Sequence, residues 1–174
     1  QKLTLRSNQF TTLPDWIRNL THLTYLDVAQ NQLTTLPDWI GDLTDLVRLY
    51  VARNQLTRLP DSIGDLTNLQ KLFLENNEFS TLPDSIGNLI HLNHLSVYRN
   101  YLTTLPDSIG DLTDLERLDV EENPLLARLP DSIGNLDDLI WLDVTSNVNL
   151  AINRSLINHI DNNNGDIEMD NILT

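Results

Sequence analysis

The stretch Leu23-Thr24-Tyr25-Leu26-Asp27-Val28-Ala29-Gln30-Asn31-Gln32-Leu33, with Leu36-Pro37-Asp38 just beyond it, decides how this chain folds. Leu26 and Val28 alternate with Tyr25, Asp27 and Ala29, the period-two signature of a short strand with one buried face. The same beat returns at Leu46, Leu49, Val51, Asn54 and Leu56, then at Leu69, Leu72, Leu74, Asn77 and Phe79, and again at Leu92, Leu95, Val97, Asn100 and Leu102. Leu-Pro marks the other half of each period, at 13–14, 36–37, 59–60, 82–83, 105–106 and 129–130. The spacing is 23 residues until the last copy, which arrives after 24, the insertion lying in Pro124-Leu125-Leu126-Ala127. Asparagine keeps time with both series at 8, 31, 54, 77, 100, 123 and 147.

One such unit cannot bury its own leucines, so stability has to come from stacking neighbours. Stacked strands give a parallel sheet, and seven of them at roughly 4.8 Å spacing make a face about 29 Å long. The recurring asparagines are expected to point inward and bond backbone groups of adjacent turns, because buried polar groups need partners. Each return segment opens with Leu-Pro-Asp, and proline suits the first turn of a helix. Asp15, Asp38, Asp61, Asp84, Asp107 and Asp131 follow it where a helix dipole favours an anion. Ile17, Ile40, Ile63, Ile86, Ile109 and Ile133 then pack inward. Gly41, Gly64, Gly87, Gly110 and Gly134 read as helix-ending glycines, with Arg18 standing in their place in the first copy.

The Leu-x-x-Leu-x-Leu-x-x-Asn-x-Leu frame resembles the leucine-rich-repeat family over residues 1 to about 150. The connecting half, Leu-Pro-Asp-x-Ile-Gly-x-Leu, looks like the intracellular Ras-group-related and Ras-suppressor-like branch, and is similar to repeats of bacterial effector proteins. The resemblance implies an α/β repeat solenoid. It would be a horseshoe with a parallel sheet on the concave face and short helices or 3-10 turns on the convex face. It also implies a module that binds a partner protein and does no chemistry. The expected organisation is repeats over 1–147 with about seven strands, a degenerate capping repeat over 148–160 and a polar tail over 161–174.

Composition narrows the function from another side. The net charge of −14 argues against a duplex nucleic acid ligand, whose phosphates demand a basic footprint. No run of 18 apolar residues exists to span a bilayer. The absence of cysteine excludes disulfides, thiolate metal sites and a cysteine nucleophile, and favours a reducing compartment: the cytoplasm, or the host cytosol for a bacterial effector. The opening Gln1-Lys2-Leu3 reads as a start inside a longer parent protein.

The strand register divides the charge. With Leu23 as position 1, positions 3, 5, 7 and 8 face out of the sheet. They hold seven of the eleven Lys and Arg residues but only six of the 25 acids, so this face sums to +1 and the remainder to −15. Tyr25, Tyr50, Phe73 and Tyr98 lie there on adjacent strands, among Arg48, Arg53, Lys71, His94, Arg99 and Arg117. Tyr and Arg dominate interface energies, and Phe73 has no structural purpose on a face opposite the leucines. These ten residues form the expected partner-binding surface, with an acidic partner segment over the central strands. Toward the C-terminal end the face turns acidic through Asp119, Glu121, Glu122 and Asp143. Mutual solvation accounts for these better than a cation site, and neither a metal nor another cofactor is expected. Trp16 and Trp39 share one return-segment position and suggest a second contact.

No phosphate-cradling loop, zinc-ligand spacing or nucleophile elbow is present. His91 and His94 are three apart and point to different faces of a strand register. Two alternatives stand beside protein docking: the recognition domain of a larger effector or signalling enzyme, and a receptor for a small molecule or glycan.

Overall fold

The structure, a computed structural model, describes residues 1–152 and 166–168. Among these residues eight three-residue strands form one parallel sheet in sequence order: β1 (Lys2–Thr4), β2 (Tyr25–Asp27), β3 (Arg48–Tyr50), β4 (Lys71–Phe73), β5 (His94–Ser96), β6 (Arg117–Asp119), β7 (Trp141–Asp143) and β8 (Asp166–Glu168). The register never slips. Lys2, Tyr25, Arg48, Lys71, His94, Arg117, Trp141 and Asp166 are successive partners, and Leu3, Leu26, Leu49, Leu72, Leu95, Leu118, Leu142 and Ile167 run beside them. The eighth strand falls inside the stretch expected to be a polar tail. It pairs with β7, and its Asp166 N–H donates to the carbonyl of Ile140, the residue just before β7, at 2.9 Å. Most of the expected capping repeat, from residue 153 onward, lies outside the described residues.

Among the described residues the chain returns between strands through six 3-10 turns, Asp15–Asn19, Asp38–Asp42, Asp61–Asp65, Asp84–Asn88, Asp107–Asp111 and Asp131–Asn135. Proline sits one residue earlier than expected, as an extended cap whose carbonyl accepts the first turn bond, as from Ile63 N–H to Pro60 O at 3.0 Å. The leucines of the strands and the isoleucines of the turns meet in one continuous core, nearly all without solvent contact. Fully burying each such side chain contributes about 1.5–3 kcal/mol.

The glycines have a different cause from the one expected. Among the described residues no glycine has positive φ, and Gly41, Gly64, Gly87, Gly110 and Gly134 each lie within a turn rather than past its end. A Cβ on Gly64 would stand 2.6 Å from the carbonyl oxygen of Ser85 in the next turn, and one on Gly87 2.7 Å from that of Ser108. Glycine is there because the neighbouring repeat's backbone occupies the space. At Gly134 a Cβ would meet nothing within 4 Å.

The left-handed positions are elsewhere: Ser7, Gln30, Arg53, Asn76, Arg99, Glu122 and Ser146, all with φ between 48° and 59°. Each precedes a ladder asparagine and turns the chain so that this amide points back at the backbone of its own and the preceding repeat, from Asn31 onward inside the solenoid, while Asn8 at the first rung stays exposed. Asn77 donates from Nδ2 to the carbonyls of Val51 at 3.1 Å and Leu74 at 3.0 Å, and its Oδ1 accepts from Leu56 N–H at 3.0 Å. The inserted residue near Pro124 changes only the last rung, where Asn147 Oδ1 accepts from Asn123 N–H at 2.7 Å.

Candidate protein-docking face

The constant register puts one aromatic side chain above another on consecutive strands. Tyr25 and Tyr50 have ring centroids 5.2 Å apart, Tyr50 and Phe73 stack at 4.6 Å with planes 13° apart, and Phe73 meets the His94 ring at 4.8 Å. All four are half-buried, and none belongs to the leucine core. Lys2 Nζ lies 5.9 Å from the Tyr25 ring, and the Arg117 guanidinium covers Trp141 at 4.9 Å. Offset ring pairs contribute about 0.5–1.5 kcal/mol each, so the ladder is pre-ordered before any partner arrives.

Arg48, Lys71 and Arg117 line one side of this ladder in the His94 column. His94 adds no charge to them at neutral pH. Burial, then Arg117 and Lys71 beside it, push its imidazole down to about 4. On the other side stand Arg53, exposed, Tyr98, half-buried, and Arg99, whose Nε pairs with Glu122 Oε2 at 3.2 Å. The ten residues expected to bind a partner therefore share one face, with the rings central and the cations on both flanks.

Part of the outward register is not accessible. Asp27, Ser96, Asp143, Ala29 and Ala52 are buried on this face by their larger neighbours. The aspartates serve the local backbone: Asp27 Oδ1 accepts from Ala29 N–H at 3.0 Å, Asp119 Oδ1 from Glu121 N–H at 3.1 Å, and Asp143 Oδ1 from Thr145 N–H at 3.0 Å. Carboxylate oxygens of Asp119, Glu121 and Asp143 lie within 4.8 Å of one another. Burial first, and in smaller part the Asp143 charge, raise the carboxyls of Asp119 and Glu121 above their ordinary values.

Above Ala29 and Ala52 the face sinks into a cavity of about 360 Å³, walled by Tyr50, Phe73, His94 and Tyr98 and bordered by Glu75. Sequence reasoning missed this feature. Two alanines in consecutive copies of a position otherwise held by Arg6, Glu75, Tyr98, Glu121 and Thr145 were its signal. A larger depression, of about 550 Å³, lies at the loop edge beside Asn77 and Asn100. The amides of both already bond backbone carbonyls.

On the convex side the two tryptophans do not form a matched pair. Trp16 is 51% exposed, while Trp39 packs partly against the core and donates from Nε1 to Asp15 Oδ1 at 3.3 Å. His91 Nδ1 lies 3.0 Å from Asp114 Oδ2, away from the face that carries His94.

A stacked parallel sheet with its core complete on one side, and with rings and cations displayed on the other, defines a repeat solenoid. Family comparison agrees: the chain belongs to the leucine-rich repeat region family, which matches over residues 1–84 and 74–158. Among solved structures it resembles the leucine-rich repeat domain of the type III effector XopL, at 28% identity and TM-score 0.77, over 97% of this chain and 68% of that one. It resembles the Arabidopsis receptor kinase HAESA, solved with the peptide hormone IDA and the co-receptor SERK1, at 27% identity and TM-score 0.79, over 97% of this chain and 29% of that one. An internalin of Listeria monocytogenes shares the fold at 22% identity and TM-score 0.79, over 99% of this chain. The chain spans only 48% of that internalin's length. No curated protein matches it significantly in sequence. Leucine-rich repeat folds commonly mediate protein–protein interaction, and these domains are typically non-catalytic.

Proposed function

We propose that this chain is a protein-docking module that seats its partner on the concave face. Tyr25, Tyr50 and Phe73 form the anchor, Arg48, Lys71 and Arg117 meet an acidic segment of the partner, and Arg53, Tyr98 and Arg99 form the opposite rim. The observation that carries this reading is the ring ladder, stacked at 4.6 Å between Tyr50 and Phe73 on a face the core does not need. Pre-ordered aromatic rings flanked by arginine are what interface hot spots are made of. The solved complex of HAESA with a peptide hormone supports the same reading by analogy. The solved repeat domain of XopL, part of an effector, favours a second form of it: this chain as the recognition portion of a longer protein. Exposed Trp16 offers a smaller contact on the convex side.

The test is capture of a partner by the wild type and by Phe73→Ala combined with Arg48→Glu. Loss of a hot-spot ring weakens binding by roughly 30-fold or more, and thermal unfolding stays nearly unchanged because neither side chain belongs to the core. Undiminished capture by the double variant, with its fold intact, overturns the proposal.

A further inference from the structure

Arg48 and Lys71 stand side by side on β3 and β4, and neither has an acid as partner. The chain holds 25 acidic residues against 11 basic ones, and cations elsewhere on this face do pair: Arg6 with Asp27 at 3.8 Å and Arg99 with Glu122 at 3.2 Å. Arg48 and Lys71 make no ion pair and no side-chain hydrogen bond with any described residue. The carboxylates around them are engaged elsewhere. Asp45 meets His22 Nδ1 at 2.9 Å, Asp27 accepts from Ala29 N–H, and Asp119 accepts from Ser96 Oγ at 3.0 Å. Glu75 comes two residues after Phe73 and borders the cavity instead.

The register frames this pair of cations with rings. Tyr25 and His94 hold the same row on either side, while Tyr50 and Phe73 hold the next outward row of the same two strands. Consecutive rings touch, Tyr25 to Tyr50, Tyr50 to Phe73 and Phe73 to His94, so the cations are bounded on three sides by one aromatic wall. Spacing then favours one kind of anion. Neighbouring strands set the two cations about 4.8 Å apart at the backbone, whereas outward carboxylates of an extended segment recur about every 6.6–6.8 Å. A single group serves both cations more closely than two carboxylates in sequence. One carboxylate neutralises one cation, but a phosphate monoester carries a charge of about −1.5 to −2 and three acceptor oxygens, enough for both. A phosphate held there sets the group that carries it against the rings, and among the phosphorylated side chains tyrosine supplies a ring to pack on them.

We propose that Arg48 and Lys71 receive a phosphotyrosine side chain of the partner protein, its phosphate bridging the two cations and its ring against Tyr50 and Phe73. The inference rests on the docking reading and names the acidic element which that reading requires.

The test is an NMR titration of the whole chain with acetyl-phosphotyrosine methylamide. The tyrosine, phosphoserine and glutamate analogues and inorganic phosphate serve as comparisons. Ring-proton shifts of Tyr50 and Phe73 that saturate with phosphotyrosine, at an affinity about tenfold or more above every comparison, are expected. Lys71→Met keeps the stem and removes the charge, and weakens that binding about tenfold or more. No saturable response, or equal affinity for tyrosine, phosphoserine or glutamate, overturns the site. Equal affinity for inorganic phosphate overturns it too, marking an adventitious ion only, as does undiminished binding by folded Lys71→Met. The wild-type comparisons stand even if the variant misfolds. Partner capture separates this failure from that of the docking reading. Capture that survives treatment of the partner with a tyrosine phosphatase, yet is lost by Phe73→Ala with Arg48→Glu, sinks the phosphotyrosine site alone. Saturable phosphotyrosine binding that depends on Lys71, with capture unaffected by that double variant, sinks the docking reading alone.

Discussion

Replacing Gly64 and Gly134 by alanine, one at a time, separates two explanations of the repeat glycines. If they were helix-ending residues, alanine would cost a similar amount at both. In the stacked solenoid the two sites differ. At Gly64 the new Cβ stands 2.6 Å from Ser85 O, 2.9 Å from Ser85 Cβ and 3.0 Å from Asn88 Nδ2. Ordinary contact begins near 3.4 Å. Two backbones must therefore separate by most of an ångström, or the turn must distort, and overpacking of this kind costs about 1–3 kcal/mol. At Gly134 nothing lies within 4 Å and φ is not positive, so alanine only narrows the unfolded ensemble and stabilises by about 0.4–1 kcal/mol. The expected gap between the variants is about 1.5–4 kcal/mol. Urea unfolding followed by circular dichroism and by tryptophan fluorescence measures it. A fall in slope for Gly64→Ala would show the array parting at the third and fourth repeats, as nearest-neighbour coupling allows. Equal effects at the two sites, or stabilisation at Gly64, would refute the packing argument.

Asn77→Ala strands the carbonyls of Val51 and Leu74 and the N–H of Leu56, and should cost about 2–4 kcal/mol in denaturant unfolding; Asn8→Ala, at the exposed first rung, should cost under about 1 kcal/mol. His94, held near 4 when folded against an ordinary 6.5, binds fewer protons folded than unfolded between those values, so its contribution to stability falls as pH drops from 6.5 toward 4. The raised carboxyls of Glu75, Asp119 and Glu121 act with the opposite sign, so the measurement is the difference between His94→Gln and wild type, which should favour the variant progressively over that window. A difference independent of pH would show that His94 is not desolvated.

The repeat register was legible in the sequence because one period fixes everything the core needs. Leu26, Leu49 and Leu72 face inward wherever Asn31, Asn54 and Asn77 keep their distance from them, and an error of one residue would invert the whole face. Position alone placed Tyr50 over Phe73. What the pattern could not supply was size and neighbour height. Asp27 and Ser96 fall on outward positions yet are buried by larger side chains around them, and the pocket above Ala52 exists only relative to Tyr50 and Tyr98. The glycines misled because a residue without a side chain serves a left-handed turn and a close approach equally well, and only the distance to Ser85 distinguishes them. The strand Asp166–Glu168 escaped because three residues in a polar stretch carry no periodic signal.

Photo-cross-linking tests the central claim most directly. A benzophenone side chain at position 73 sits in the ring ladder, and the same group at exposed position 88 sits on a convex turn. If the partner lies on the concave face, irradiation of the captured complex gives adducts from position 73 and essentially none from position 88. Adducts from 88 with none from 73 would move the partner to the other side of the solenoid and contradict the account.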